Sequence, residues 1–128
     1  ARFQSLHEID EPAPVPVDFD LNEYFGNAWA VYRGTDSFDI RLRFDAHAAA
    51  IVTETVWHPT QKIVRHKNGT ATLSFTVDGL NEVVRWILGW GNQIVAIEPQ
   101  ELRSIVLNVH RQSLELLADA PDSILLEE

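Results

Sequence analysis

Two runs that read as strands, Lys62–Lys67 and Ala71–Val77, are joined by Asn68-Gly69. No other feature restricts the fold as tightly. Asn and Gly tolerate the left-handed backbone that a two-residue hairpin loop requires, so this pair between such runs predicts two antiparallel strands. A lone hairpin is marginal in water and must join more strands or pack on helices. Phe38, Ile40, Leu42 and Phe44, alternating with Asp39, Arg41 and Arg43, supply a further half-buried strand.

Helical periodicity fills the gaps between these strands. Asp45 is placed to cap a helix over 46–56, with Ile51, Val52, Thr55 and Val56 as its inner face. Leu80, Val83, Val84, Ile87 and Leu88 recur at helical spacing, and Gly89 or Gly91 can end that helix. Gln93–Glu98 reads as a strand. Pro99 opens a last helix over about 100–118, with Leu102, Ile105, Val106, Val109, Leu116 and Leu117 on one stripe. The order βαββαβ plus a terminal helix predicts an α+β, ferredoxin-like sandwich: a four-stranded antiparallel sheet with its helices on one face.

Upstream, DEPAPVPVDFD (10–20) has prolines at three alternate positions and reads as an extended connector. It follows Phe3–Ile9 and leads to a short segment at 21–32, where Asp20 and Glu23 suit a helix start. Three parts result: 1–36, a connector; 37–119, the folded domain; and 120–128, an acidic tail. The net charge of −9 belongs to the ends, since 38–118 carries eight basic and eight acidic residues. It therefore says little about what the central module binds. With no cysteine there is no disulfide or thiolate metal site. No apolar run is long enough for a bilayer, and a cytoplasmic location is expected. The chain has no methionine, even at position 1, and is expected to be a piece of a longer protein.

Register makes a prediction about the uncovered face. A two-residue loop pairs Lys67 with Thr70, and hence Arg65 with Thr72 and Val64 with Leu73. Paired residues share a face, so Arg65 points away from the helices with Thr72, Ser74 and Thr76. If the first strand pairs with the third, Arg41 and Arg43 join it, giving three arginines among small hydroxyls. Such a face is either plain solvated sheet or a surface for an anion, nucleic acid or partner domain. A three-residue loop would reverse the register of Arg65. Trp86 lies at the edge of its helix's apolar arc, as a loop-packing residue or an interface anchor. Leu107, Leu114 and Ala118 form a second apolar stripe on the last helix, which suits deep burial or a second subunit.

The stretch VWHPTQ (56–61) concentrates the most chemistry. Pro59 ends the preceding helix, Trp57 can cover the core edge, and His58 or Gln61 can satisfy helix carbonyls. The alternative is a contact corner in which His58 and Gln61 donate hydrogen bonds to a neighbour. Catalysis is not expected: there is no cysteine, glycine-flanked serine, Walker loop or GxGxxG motif. The five histidines lack zinc-binding spacing, so neither metal nor cofactor is expected.

Several segments together resemble a known family. F-D-A-x-x-A-A-x-V (44–52), W-H-P-T-Q (57–61), G-T-A-T-L-S-F-T-V (69–77), V-V-R-W-I-L-G-W-G (83–91) and E-P-Q-E-L-R (98–103) look like the WCX extension of WYL-domain proteins. R-F-Q-S-L-H-E-I (2–9) and F-D-L-N-E-Y (19–24) are similar to the end of a WYL domain and its exit linker. The resemblance implies a bacterial transcriptional regulator with an N-terminal winged helix-turn-helix, a WYL domain and this extension. It implies homodimers, effector sensing through ligand or nucleic acid, and contact with the chain's own WYL domain. The DNA-binding helices and the WYL body are absent here, so duplex DNA would be read by the missing N-terminal domain. The expectation is a non-enzymatic regulatory module, with Arg41, Arg43, Arg65, His58, Gln61 and Trp86 as candidate effector or partner contacts. Its rivals are a stand-alone small-molecule sensor and a small hydrolase of the same fold.

Overall fold

The computed structural model describes residues 5–119; the expected acidic tail at 120–128 lies outside them, as do residues 1–4. The elements run α1 (Leu21–Phe25), β1 (Ser37–Phe44), α2 (Ala46–Val52), β2 (Lys62–Arg65), β3 (Ala71–Asp78), α3 (Asn81–Leu88), β4 (Ile94–Glu98) and α4 (Gln100–Ala118). The strands form one antiparallel sheet in the order β2-β3-β1-β4. Two β-α-β crossovers are interleaved in that order, with β3 lying between β1 and β2 and β1 between β3 and β4.

Local signals account for the helix starts. Asp20 Oδ1 accepts from the Glu23 N–H at 2.8 Å, and Asp45 Oδ1 from the Ala48 N–H at 2.8 Å. Each carboxylate meets a donor that the helix itself leaves unpaired. The second helix stops at Val52, short of the expected 56, and Thr53–Thr55 form a turn ahead of Pro59. Residues 5–19 hold no helix or strand, and over 12–16 the alternate prolines account for it.

One face of the sheet is the floor of the core. Ile40, Leu42 and Phe44 of β1 and Leu73, Phe75 and Val77 of β3 meet Ala48 and Val52 of α2, Val83, Val84 and Ile87 of α3, and Leu102 and Val106 of α4. Fully burying a side chain such as Phe44 or Leu42 is worth about 1.5–3 kcal/mol. Around this core all four tryptophans gather. Trp86 lies 4.9 Å from Trp29, 5.2 Å from Trp57 and 5.7 Å from Trp90, ring centre to ring centre. The position at the edge of the α3 arc is therefore occupied by an aromatic cluster.

Two expectations are corrected. The β2–β3 hairpin has a three-residue loop, Lys67–Gly69: the His66 N–H donates to the Thr70 carbonyl at 2.8 Å, and the Gly69 N–H to the His66 carbonyl at 3.0 Å. Only Gly69 takes a positive φ, at +84°, whereas a two-residue loop needs one at Asn68 as well. Pairing shifts by one, to Val64–Thr72 and Arg65–Ala71. Arg65 thus lies on the helix side of the edge strand, not on the open face. In addition, Leu116 and Leu117 do not reach the core, being 75% and 74% exposed. A 19-residue helix is about 28 Å long, while the five-residue β4 beside it spans about 17 Å, so the second half of α4 overshoots the body.

The connector is docked through its last third. Trp29 enters the aromatic cluster, and the Glu82 carboxylate accepts from the N–H groups of Ala30, Val31 and Tyr32 at 3.0 to 3.4 Å. Gly34 and Gly79 lie against each other, with the Gly34 N–H donating to the Asp78 carbonyl and the Gly79 N–H to the Asp36 carbonyl. A Cβ at Gly34 would sit 2.6 Å from the Gly79 Cα, so no side chain fits there. Asp78 accepts from the Asn27 N–H at 3.1 Å and faces Arg33 at 3.3 Å.

Candidate functional site

The corner at 56–61 is built by its own side chains. The Trp57 indole N–H donates to the Val52 carbonyl at 2.9 Å, capping α2. Gln61 Oε1 accepts from the Trp57 and His58 N–H groups at 2.6 and 3.1 Å, while its Nε2 donates to the Thr55 carbonyl at 3.0 Å. Helix carbonyls are thus met by Trp57 and the turn by Gln61, with no contribution from His58. Thr60 stands in register with Thr76 beyond the end of β2, and its hydroxyl takes the place of a backbone ladder. It accepts the Thr76 N–H at 2.9 Å and lies 3.2 Å from the Thr76 carbonyl.

His58 is only 1% exposed. Its ring lies parallel to Trp29, at 10° and 5.8 Å, and Nδ1 lies 2.9 Å from the Thr60 hydroxyl and 3.3 Å from the Thr60 N–H. Its Nε2 is buried without a partner. The expectation that His58 donates to a neighbouring molecule does not match this position, because Trp29 and the core enclose it. Gln61 is likewise committed within its own turn, and Trp86 is half-buried among aromatic rings. Sequence reasoning missed Trp29, which lies in the segment expected to be connector and has no periodic pattern around it.

Arg41 and Arg43 do reach the open face. The register gives lateral rows across it: Lys62, Ser74, Arg41, Glu98 in one, and Val64, Thr72, Arg43, Ala96 in the next. Arg41 lies 3.7 Å from Glu98, both largely exposed, a pairing worth only about 0–1 kcal/mol. The other ion pair among the described residues is Arg33–Asp78, so Lys62 and Arg43 have no carboxylate within 4 Å. A cleft of about 600 Å³ opens here, lined by Asp39, Arg41, Thr60, Lys62, Ser74 and Thr76 among others. Lys62 was not among the expected contacts; the corrected register is what puts it there.

A second cavity, of about 510 Å³, is mainly apolar and lies between β4 and α4, lined by Ile87, Ile94, Ile97, Val106, Leu107 and His110 among others. Beyond it Leu114, Leu116 and Leu117 are exposed on α4. The outer strand β4 carries a bulge where Arg43 pairs with Ala96 but Phe44 with Ile94, leaving Val95 unpaired. Such a bulge discourages edge-to-edge strand addition. Among the described residues no three His, Asp or Glu groups converge as for a metal ion, and no helix is long and apolar enough to cross a membrane.

The ionisation of Asp78 is displaced. The Asn27 N–H that it accepts holds its pKa below the usual carboxylate value, with Ser37 and Arg33 acting the same way and partial burial opposing them.

The family model of the WCX domain matches residues 36–114, well over half of the chain. No curated protein matches it.

Proposed function

The chain belongs to the WCX domain family, and from that premise we propose that it is a non-enzymatic regulatory module of a WYL-type bacterial transcriptional regulator. In this reading it follows a WYL domain, works in the cytoplasm and holds two regulator chains together as a homodimer. In the same reading DNA is bound by another domain of that regulator. The open sheet face, with Arg41 and Arg43, is turned toward an effector or the neighbouring WYL domain.

The observation that carries the reading is the uncovered second half of α4. Leu114, Leu116 and Leu117 are each at least 70% exposed on a helix whose first half is anchored in the core. Leu114 and Leu117 stand side by side at i, i+3 on the projecting helix, an exposed apolar pair that suits an interaction surface. An antiparallel pair of such helices is self-complementary under two-fold symmetry. The inward commitment of His58 and Gln61 supports a non-catalytic role for the most reactive-looking corner.

Light scattering on the 128-residue chain tests this directly. A dimer that becomes monomeric in L114K/L117K, with unchanged circular dichroism, is the expected result. A wild-type monomer at all concentrations would remove self-association through this helix.

A further inference from the structure

The open face has a charge pattern that selects among possible ligands. Lys62, Ser74 and Arg41 are direct lateral neighbours on three adjacent strands, spaced about 4.8 Å per strand. An ammonium and a guanidinium therefore flank one hydroxyl at the floor of the 600 Å³ cleft. Negative groups border this trio on two sides. Glu98 continues the row beyond Arg41, and Asp39, accepting from the Thr76 hydroxyl at 2.7 Å, lies in the next row.

We infer that Lys62, Ser74 and Arg41 form a subsite for one compact oxyanion, a carboxylate or phosphate group of a small molecule. This rests on the reading of the open face as a contact surface and narrows it. A single oxyanion fits between the two cations, with the Ser74 hydroxyl as a further donor. A nucleic-acid strand fits poorly. Its successive phosphates would meet Asp39 or Glu98, and the His66 ring at the hairpin end of this face is held against the Thr72 hydroxyl at 2.8 Å. The exposed Arg41–Glu98 pair is weak enough for the guanidinium to turn to a ligand.

Backbone amide NMR of the 128-residue chain decides the matter, with inorganic phosphate, acetate and a hexathymidylate titrated separately at low salt. The expected result is saturable shifts at Arg41, Lys62 and Ser74 with phosphate or acetate; the tighter of the two identifies the anion class. Replacing both cations, R41Q/K62Q, weakens that binding by at least about tenfold, as the loss of charge-assisted hydrogen bonds implies. R65Q, on the other side of the strand, leaves it unchanged. The inference is overturned if neither anion gives saturable shifts, if the oligonucleotide binds more tightly than both, or if R65Q weakens binding as much as R41Q/K62Q. Those outcomes leave self-association through α4 standing, since that is read by scattering in the absence of any anion.

Discussion

The corner at 56–61 and the second half of α4 make opposite use of their residues. The corner packs a tryptophan, a histidine, a threonine and a glutamine into six positions, and nearly every polar atom is engaged inside the turn. The end of α4 contains three leucines beside Gln112, Ser113 and Glu115, yet its apolar side chains are left open. Chemical variety in the corner serves folding, because a sharp exit from a helix leaves carbonyls and amides that must be met. The bland helix end is where free energy remains to be gained by contact with something else.

The contrast is sharpest within α4 itself. Leu102→Ala, in the buried first turn, is expected to lower unfolding stability by about 2–5 kcal/mol, as full burial with a residual cavity implies. Denaturant titration measures it, and a loss below 1 kcal/mol would show that α4 is not anchored as described. In the corner, Thr60→Val keeps the shape but strips the hydroxyl from the Thr76 N–H. A loss of about 1–3 kcal/mol is expected by the same assay.

A smaller effect is expected from pH at the docked connector. Because the Asp78 pKa is depressed in the fold, its contribution is present above the ordinary carboxylate value and is lost as pH falls through the lower folded value. Unfolding midpoints measured from neutral to acid pH should fall less steeply in Asp78→Asn than in wild type. Identical slopes would mean that the Asn27 and Arg33 contacts do not hold the connector. Last, Leu117→Ala should change stability of the monomer by no more than about 0.5 kcal/mol, since it uncovers nothing. A larger loss in dilute protein would place Leu117 in the core and erase the contrast.

Much of the fold was legible because period and caps are local properties. The alternation in β1, the Asp20 and Asp45 caps and the 100–118 helix follow from contacts within a few residues. Arg41 and Arg43 on the open face were legible for the same reason: they oppose an apolar set on one strand. Arg65 was not, because the face it occupies hinges on one residue of loop length, and Asn68-Gly69 can serve in loops of two or of three. Nor was Trp29, whose partners His58 and Trp86 lie far along the chain.

By itself the sequence determined the order of strands and helices, the apolar faces of β1, β3 and α3 and the acidic ends, since these depend on side-chain period and composition alone. Only the tertiary structure decided which polar groups were left over. It turned His58 inward beneath Trp29, aligned Lys62 with Ser74 and Arg41, and carried α4 past the end of the sheet. Those outcomes depend on register and on the relative lengths of packed elements, which no single segment encodes.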